Sequence, residues 1–279
     1  MYPKSISNVR KSLPENEGCQ KYYYAFYNLE DIRDTNTIED FFSKIENNFK
    51  NVLLRIHDRL SLSDQDKIDL AIFIAFMQTR GPWFRTEIDK MAVKHIESVG
   101  LENSKKDFKS SFETIKNIIG IEPKIKDEDY LDLLSSRGSV FSLTQVFDTA
   151  TKFYQQLLEL KWRFLFSNTD FKYITSDNPI YYYSEDTQKT IQGDRIIDEN
   201  IEVTFPLSKR VAFLAKRKQL QEGYGDAHNK SIKAINKRTV WGVKSYIYAS
   251  FDETSFINFV QKNKNIMPYM KMVSKKVSH

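Results

Sequence analysis

The 279 residues, 41% hydrophobic and 14% aromatic, can bury a substantial core, which excludes a disordered chain. The 42 basic and 37 acidic residues leave a net charge of +5 with both signs mixed along the sequence, compatible with nucleic-acid binding but explained more simply by a mildly basic surface. Cys19 stands alone and His57, His95, His228 and His279 lack metal-motif spacing, which excludes an intrachain disulfide, a cysteine-based zinc site and a histidine-rich metal site.

A reducing cytoplasm fits this cysteine usage. Without a signal-like leader or a run of eighteen apolar residues, neither secretion nor membrane spanning is expected. In chain order, a polar start around Pro3 to Val9 leads into the aromatic run Tyr22 to Tyr27. That run reads as a short strand or extended clamp against a core, with an RNA-stacking surface as the sharper alternative.

From Thr37, apolar residues recur at three and four positions (Ile38, Phe41, Phe42, Ile45, Phe49, Val52, Leu53, Ile56), predicting an amphipathic helix capped by Thr37. Ser63 is placed to cap a second helix, which is apolar nearly all round from Ile68 to Met77 and is therefore expected at the centre of a bundle. Gly81 and Pro82 interrupt it between Arg80 and Arg85. Two arginines at a helix break can grip a phosphate or carboxylate, or cap the helix carbonyls. Further helices are predicted from Glu87 to Val99, Ser104 to Ile119 and Phe141 to Leu160, with a charged linker from Lys124 to Gly138.

The pattern then turns to strands at Trp162–Phe166, Phe171–Thr175, Ile180–Tyr183, Ile201–Pro206 and Arg210–Leu214, followed by a helix over Asp226–Arg238. A last strand over Val243–Ala249, a closing helix over Glu253–Gln261 and a frayed basic tail from Lys271 complete the reading. The expected fold is α+β: a helical bundle over about 30–160 packed on a mainly antiparallel sheet over about 161–279, as a single domain 1–279.

Several of these landmarks occur together in one known family. Pro3-Lys4-Ser5-Ile6, the Phe41-to-Phe49 helix, Arg80-Gly81-Pro82, the Trp162 strand, Thr175-Ser176-Asp177-Asn178-Pro179 and Phe205-Pro206-Leu207-Ser208 make nearly the whole chain resemble domain of unknown function 4238. The resemblance implies membership and no activity. Members usually begin with a segment containing His, Val-Pro-Gln and a Leu-x-x-Phe run. This chain starts after it, so a role carried by that histidine would be absent or supplied by another chain. The family's glutamine before the break falls at Met77, with Gln78 beside it, and its threonine before the proline is Gly81; Arg80, Pro82 and Arg85 carry over.

Asp177, held at a strand end before an Asn-Pro step, is the leading functional acid, as a metal ligand or general base, with Ser176 and Asn178 orienting it or a substrate. The alternative is an aspartate that bonds its own backbone in a turn. Glu202 is a second carboxylate that would make a Mg²⁺ or Mn²⁺ site with Asp177. Arg80 is the expected catalytic cation, and Gln78, Arg85, Lys209 and Arg210 are expected substrate contacts. The basic run from Lys209 to Lys218 reads as a nucleic-acid footprint or as protection of a sheet edge. Glu159-Leu160-Lys161 with Asp148 upstream has a nuclease-like form, but it ends a helix where such a core needs a strand.

The expectation is a cytoplasmic bacterial effector of toxin or phage-defence type acting on RNA or DNA, in its sharpest form a metal-dependent nuclease. The alternative is a non-catalytic protein- or nucleic-acid-interaction module working with a partner protein.

Overall fold

The change from helical to alternating spacing near residue 160 is realised as an α+β fold. In the computed structural model, residues 23–27, 32–120, 140–184, 191–192, 195–196, 200–250 and 254–264 are described. The polar start and Tyr22, the Lys124–Gly138 linker, most of the turn after Tyr183 and the basic tail lie outside them. No described helix is long and apolar enough to cross a membrane. The chain divides into two compact units, one formed from Gln20–Val52 and Leu62–Gln155, the other chiefly from Leu53–Ser61 and Gln156–His279.

The first unit is mainly helical. A two-stranded ribbon, β1 (Phe26–Tyr27) with β2 (Arg33–Asp34), precedes α1 (Thr37–His57), whose last turns are counted with the second unit. The aromatic run is chiefly packing: Phe26 is buried, and Tyr24 sits 4.8 Å from the Phe42 ring. Asp34, not Thr37, caps α1. Its carboxylate accepts the Asn36 amide at 3.0 Å, the Thr37 amide at 2.9 Å and the Thr37 hydroxyl at 2.6 Å. Burial pushes the Asp34 carboxyl up, but those Thr37 and Asn36 donors outweigh it and hold it below its ordinary value.

α2 (Asp64–Thr79) starts at the expected cap, a reciprocal box between Ser63 and Asp66. Leu70, Ala71, Phe73, Ile74, Ala75 and Phe76 are all buried, as an all-round apolar helix requires. Phe41, Phe76 and Phe147 meet edge-on or tilted with centroids 5.3 Å apart, and Phe49 stacks on Phe73 at 3.7 Å. Extended Gly81 lets α3 (Pro82–Val99) begin at once, with Pro82 in the first turn, where its missing amide costs nothing. Gly100, at φ +81°, turns the chain directly into α4 (Leu101–Ile119). α5 (Val140–Leu158) completes the unit's described helices and runs into the next unit.

The second unit carries a five-stranded sheet ordered β10-β3-β9-β8-β5, formed by β3 (Lys161–Phe166), β5 (Tyr181–Tyr183), β8 (Glu202–Pro206), β9 (Val211–Lys216) and β10 (Gly223–Asp226). Every pairing is antiparallel except β10 with β3, which is parallel. β3 alternates as its sequence predicts, burying Trp162, Phe164 and Phe166 while Lys161 is exposed. Shorter pairs join β4 (Thr175–Ser176) to β11 (Ile247–Tyr248) and β6 (Ile191–Gln192) to β7 (Arg195–Ile196). α6 (Asn229–Gly242) packs Ile232 and Ile235 on Tyr173, Ala212 and Ala227. Its Val240 meets Ile174 and Val260 of α7 (Thr254–Asn263).

Three sequence expectations change here. The helix predicted over Asp226–Arg238 runs over Asn229–Gly242, and Asp226 closes β10 instead. Phe171–Thr175 is not a ladder strand; only Thr175 and Ser176 pair, with β11. The preceding backbone is satisfied by a side chain instead: buried Asn236 of α6 donates to the Lys172 carbonyl at 2.9 Å and accepts from the Ile174 amide at 3.2 Å. Between these bonds, the Tyr173 amide donates to the Lys209 carbonyl at 3.0 Å. The predicted Val243–Ala249 strand shortens to Ile247–Tyr248, because the backbone before it is held by Asp177.

Candidate functional site

The Ser176-Asp177-Asn178-Pro179 corner follows β4 and faces the end of α6. The Asp177 amide donates to the Tyr246 carbonyl at 3.0 Å, continuing the β4–β11 pairing by one residue. Its carboxylate then accepts two more backbone amides, Lys244 on Oδ1 at 3.0 Å and Ser245 on Oδ2 at 2.6 Å. Asn178 completes the clasp by donating its side-chain amide to the Gly242 carbonyl at 2.9 Å, one of the carbonyls a helix end leaves without an intrahelical partner. The Asn178 backbone amide bonds back to the buried Ser176 hydroxyl at 3.2 Å. Gly242 suits this close approach: a Cβ there would lie 3.1 Å from the Tyr181 ring and 3.2 Å from the Asn178 carbonyl oxygen, so those neighbours would have to yield by a few tenths of an ångström. The strand-end acid therefore stands in an exposed position with both oxygens engaged by the main chain.

Glu202 belongs to a different cluster. Opening β8, it accepts Lys216 Nζ on Oε1 and Arg238 Nη2 on Oε2, each at 2.5 Å. The Arg238 guanidinium also lies over the Tyr183 ring, 4.2 Å from its centroid, and Tyr183 is the cross-strand neighbour of Glu202. Burial pushes the Glu202 carboxyl up, but Arg238 and Lys216 more than offset it and keep it below the ordinary value. Asp177 and Glu202 thus have separate partners, backbone amides for one and two cations for the other. Among the described residues no three His, Cys, Asp or Glu side chains are grouped so as to hold a metal ion.

Arg80, Gln78 and Arg85 lie in the helical unit, each placed by the α2–α3 break. Arg80 pairs with Glu46 at 2.7 Å and lies over the Phe42 ring. Arg85, 8% exposed, donates to the Ser142 hydroxyl at 3.1 Å and the Tyr23 carbonyl at 2.8 Å, with its guanidinium over the Tyr23 ring at 4.4 Å. The two arginines thus tie the break to α1, α5 and the aromatic run. Gln78 keeps its side-chain oxygen buried without a hydrogen bond. Of the nuclease-like residues, Asp148 pairs with Lys152 within α5, and Glu159, just past that helix, reaches Arg217 at 3.5 Å.

Lys209 and Arg210 occupy the exposed β8–β9 turn, and neither has an acidic partner among the described residues. The sequence reading missed a second set of exposed cations. On α6, Lys230, Lys233 and Lys237 are exposed along one face, and Lys233 Nζ lies 4.6 Å from the centroid of the Phe171 ring. The signal was present in the spacing of three, then four, between those lysines, which places them on the side opposite Ile232, Ile235 and Asn236.

A family model described as Protein of unknown function (DUF4238) matches residues 1–253. No curated protein and no solved structure matches the chain.

Proposed function

We propose that this chain, which belongs to the DUF4238 family, is a nucleic-acid-interaction module that works by binding. The observation that carries this reading is the β8–β9 turn, where Lys209 and Arg210 are exposed and free of acidic partners among the described residues. Cations already neutralised within the fold, such as Arg80 on Glu46 or Arg238 on Glu202, have little left to give a polyanion. The pair in the turn keeps its charge available for phosphate. A metal-dependent nuclease centred on Asp177 has less support, because both of its oxygens serve main-chain amides and Glu202, the second carboxylate it would call on, is paired with Lys216 and Arg238.

Fluorescence anisotropy of the full chain with labelled RNA and DNA oligonucleotides in low salt tests the proposal. Binding is expected, weakened several-fold by Lys209→Ala with Arg210→Ala, and without cleavage when Mg²⁺ or Mn²⁺ is added. Failure to bind any oligonucleotide would overturn it, as would metal-dependent cleavage that disappears in Asp177→Ala.

A further inference from the structure

Resting on that reading, we infer that the exposed face of α6 and the Phe171 ring form a surface for single-stranded nucleic acid, with Phe171 as the base platform and the lysines as the phosphate track. Three of its cations come from one helix. Lys230, Lys233 and Lys237 follow one another along a line of about 10 Å at 1.5 Å per residue. The buried side of the same helix, through Asn236, holds the backbone on either side of Tyr173.

That backbone joins the parts of the surface. On one margin it is bonded to α6 through Lys172 and Ile174, and on the other the Tyr173 amide bonds the Lys209 carbonyl. Lys233 of the α6 row reaches the ring of Phe171, which begins this short segment, and the Lys209–Arg210 turn is bonded to the same segment at Tyr173. Whereas Tyr173 and Ile174 are buried, Phe171 remains 40% exposed, with Lys233 Nζ over its ring at 4.6 Å.

The nearby acids only partly offset this charge. Asp226 is paired with Arg59 and Glu202 with Lys216 and Arg238, so both are already neutralised. Exposed Asp170, beside Phe171, subtracts one charge.

An exposed ring within a set of cations matches a ligand that carries both phosphates and aromatic faces. An acidic peptide offers the charge without the faces. A duplex also carries both, but its base faces are stacked inside, so only an unpaired strand can use Phe171 and the lysines together.

The test measures anisotropy of the full chain with labelled oligouridylate, oligothymidylate and a duplex of equal length over a range of salt. Both single strands should bind more tightly than the duplex. Phe171→Ala should weaken single-strand binding roughly tenfold and leave duplex binding within about twofold, whereas Phe171→Trp should retain it. Lys230→Gln with Lys237→Gln should make the logarithmic salt dependence shallower by about 1.4, at about 0.7 per phosphate contact. Because these side chains are exposed, unchanged thermal unfolding will show that the variants fold. Equal affinity for duplex and single strand, wild-type binding by Phe171→Ala, or equally effective competition by polyglutamate would overturn the inference while leaving the broader binding reading to its own assay. Loss of binding to every nucleic acid would sink both.

Discussion

The Asp177 corner and the lysine face both depend on α6, yet they differ in what their polar groups have left to offer. At the corner, the two Asp177 oxygens and the Asn178 side-chain amide each bond the backbone of residues 242–245. On the face, Lys230, Lys237, Lys209 and Arg210 have no acidic partner among the described residues. A polar cluster can therefore be structural for the same reason another can bind: hydrogen-bonding capacity used inside the fold is withdrawn from solvent. The corner should govern stability, and the face affinity.

Asn236 lies beneath the face and gives the hardest test of that division. Asn236→Leu leaves the Ile174 amide and the Lys172 carbonyl without their side-chain partner, which should cost about 2–4 kcal/mol in urea unfolding. A wild-type midpoint would show that Asn236 does not hold the segment. Asp177→Ala comes next, removing the acceptor for two main-chain amides. About 1–2 kcal/mol is expected, read as a fall of several degrees in thermal midpoint, with oligonucleotide affinity unchanged once the protein is folded. A loss of binding without a loss of stability would invert the comparison.

The smallest effect should be that of Glu202, and it depends on pH. Its folded carboxyl lies below the ordinary value of 4.5, so the ionised form stabilises the fold above that value. This contribution fades as pH falls through the lower folded value. Glu202→Gln should therefore flatten the acid side of the stability profile, measured by urea unfolding from neutral pH downwards. An unchanged acid slope would mean that the Lys216 and Arg238 contacts do not favour the ionised form.

Local signals made much of the fold legible. The periodicity from Ile38 to Ile56, the Ser63–Asp66 box and the Gly81-Pro82 interruption all act within a few residues, and the structure places α1, α2 and α3 accordingly. β10 was not legible because Gly-Tyr-Gly-Asp has little strand preference of its own; pairing with β3 creates the strand. The Asp177 corner was recognisable as a turn, but its fate depended on amides at 244 and 245, which no local rule connects to it. Likewise, the α6 lysines could be placed on one face by spacing, but the approach of Lys233 to Phe171 and the bond from the Tyr173 amide to the Lys209 carbonyl join residues that no local rule connects.

The position of β3 has a consequence for synthesis. Its neighbours are β9 and β10, so Phe164 must await Phe213 on one side and Tyr224 on the other, both far downstream. As the chain leaves the ribosome, Trp162, Phe164 and Phe166 therefore emerge before either partner exists. A stalled or truncated product ending before Gly223 would lack β10, leaving the hydrogen-bonding edge of an aromatic-rich strand unmated and open to another nascent chain.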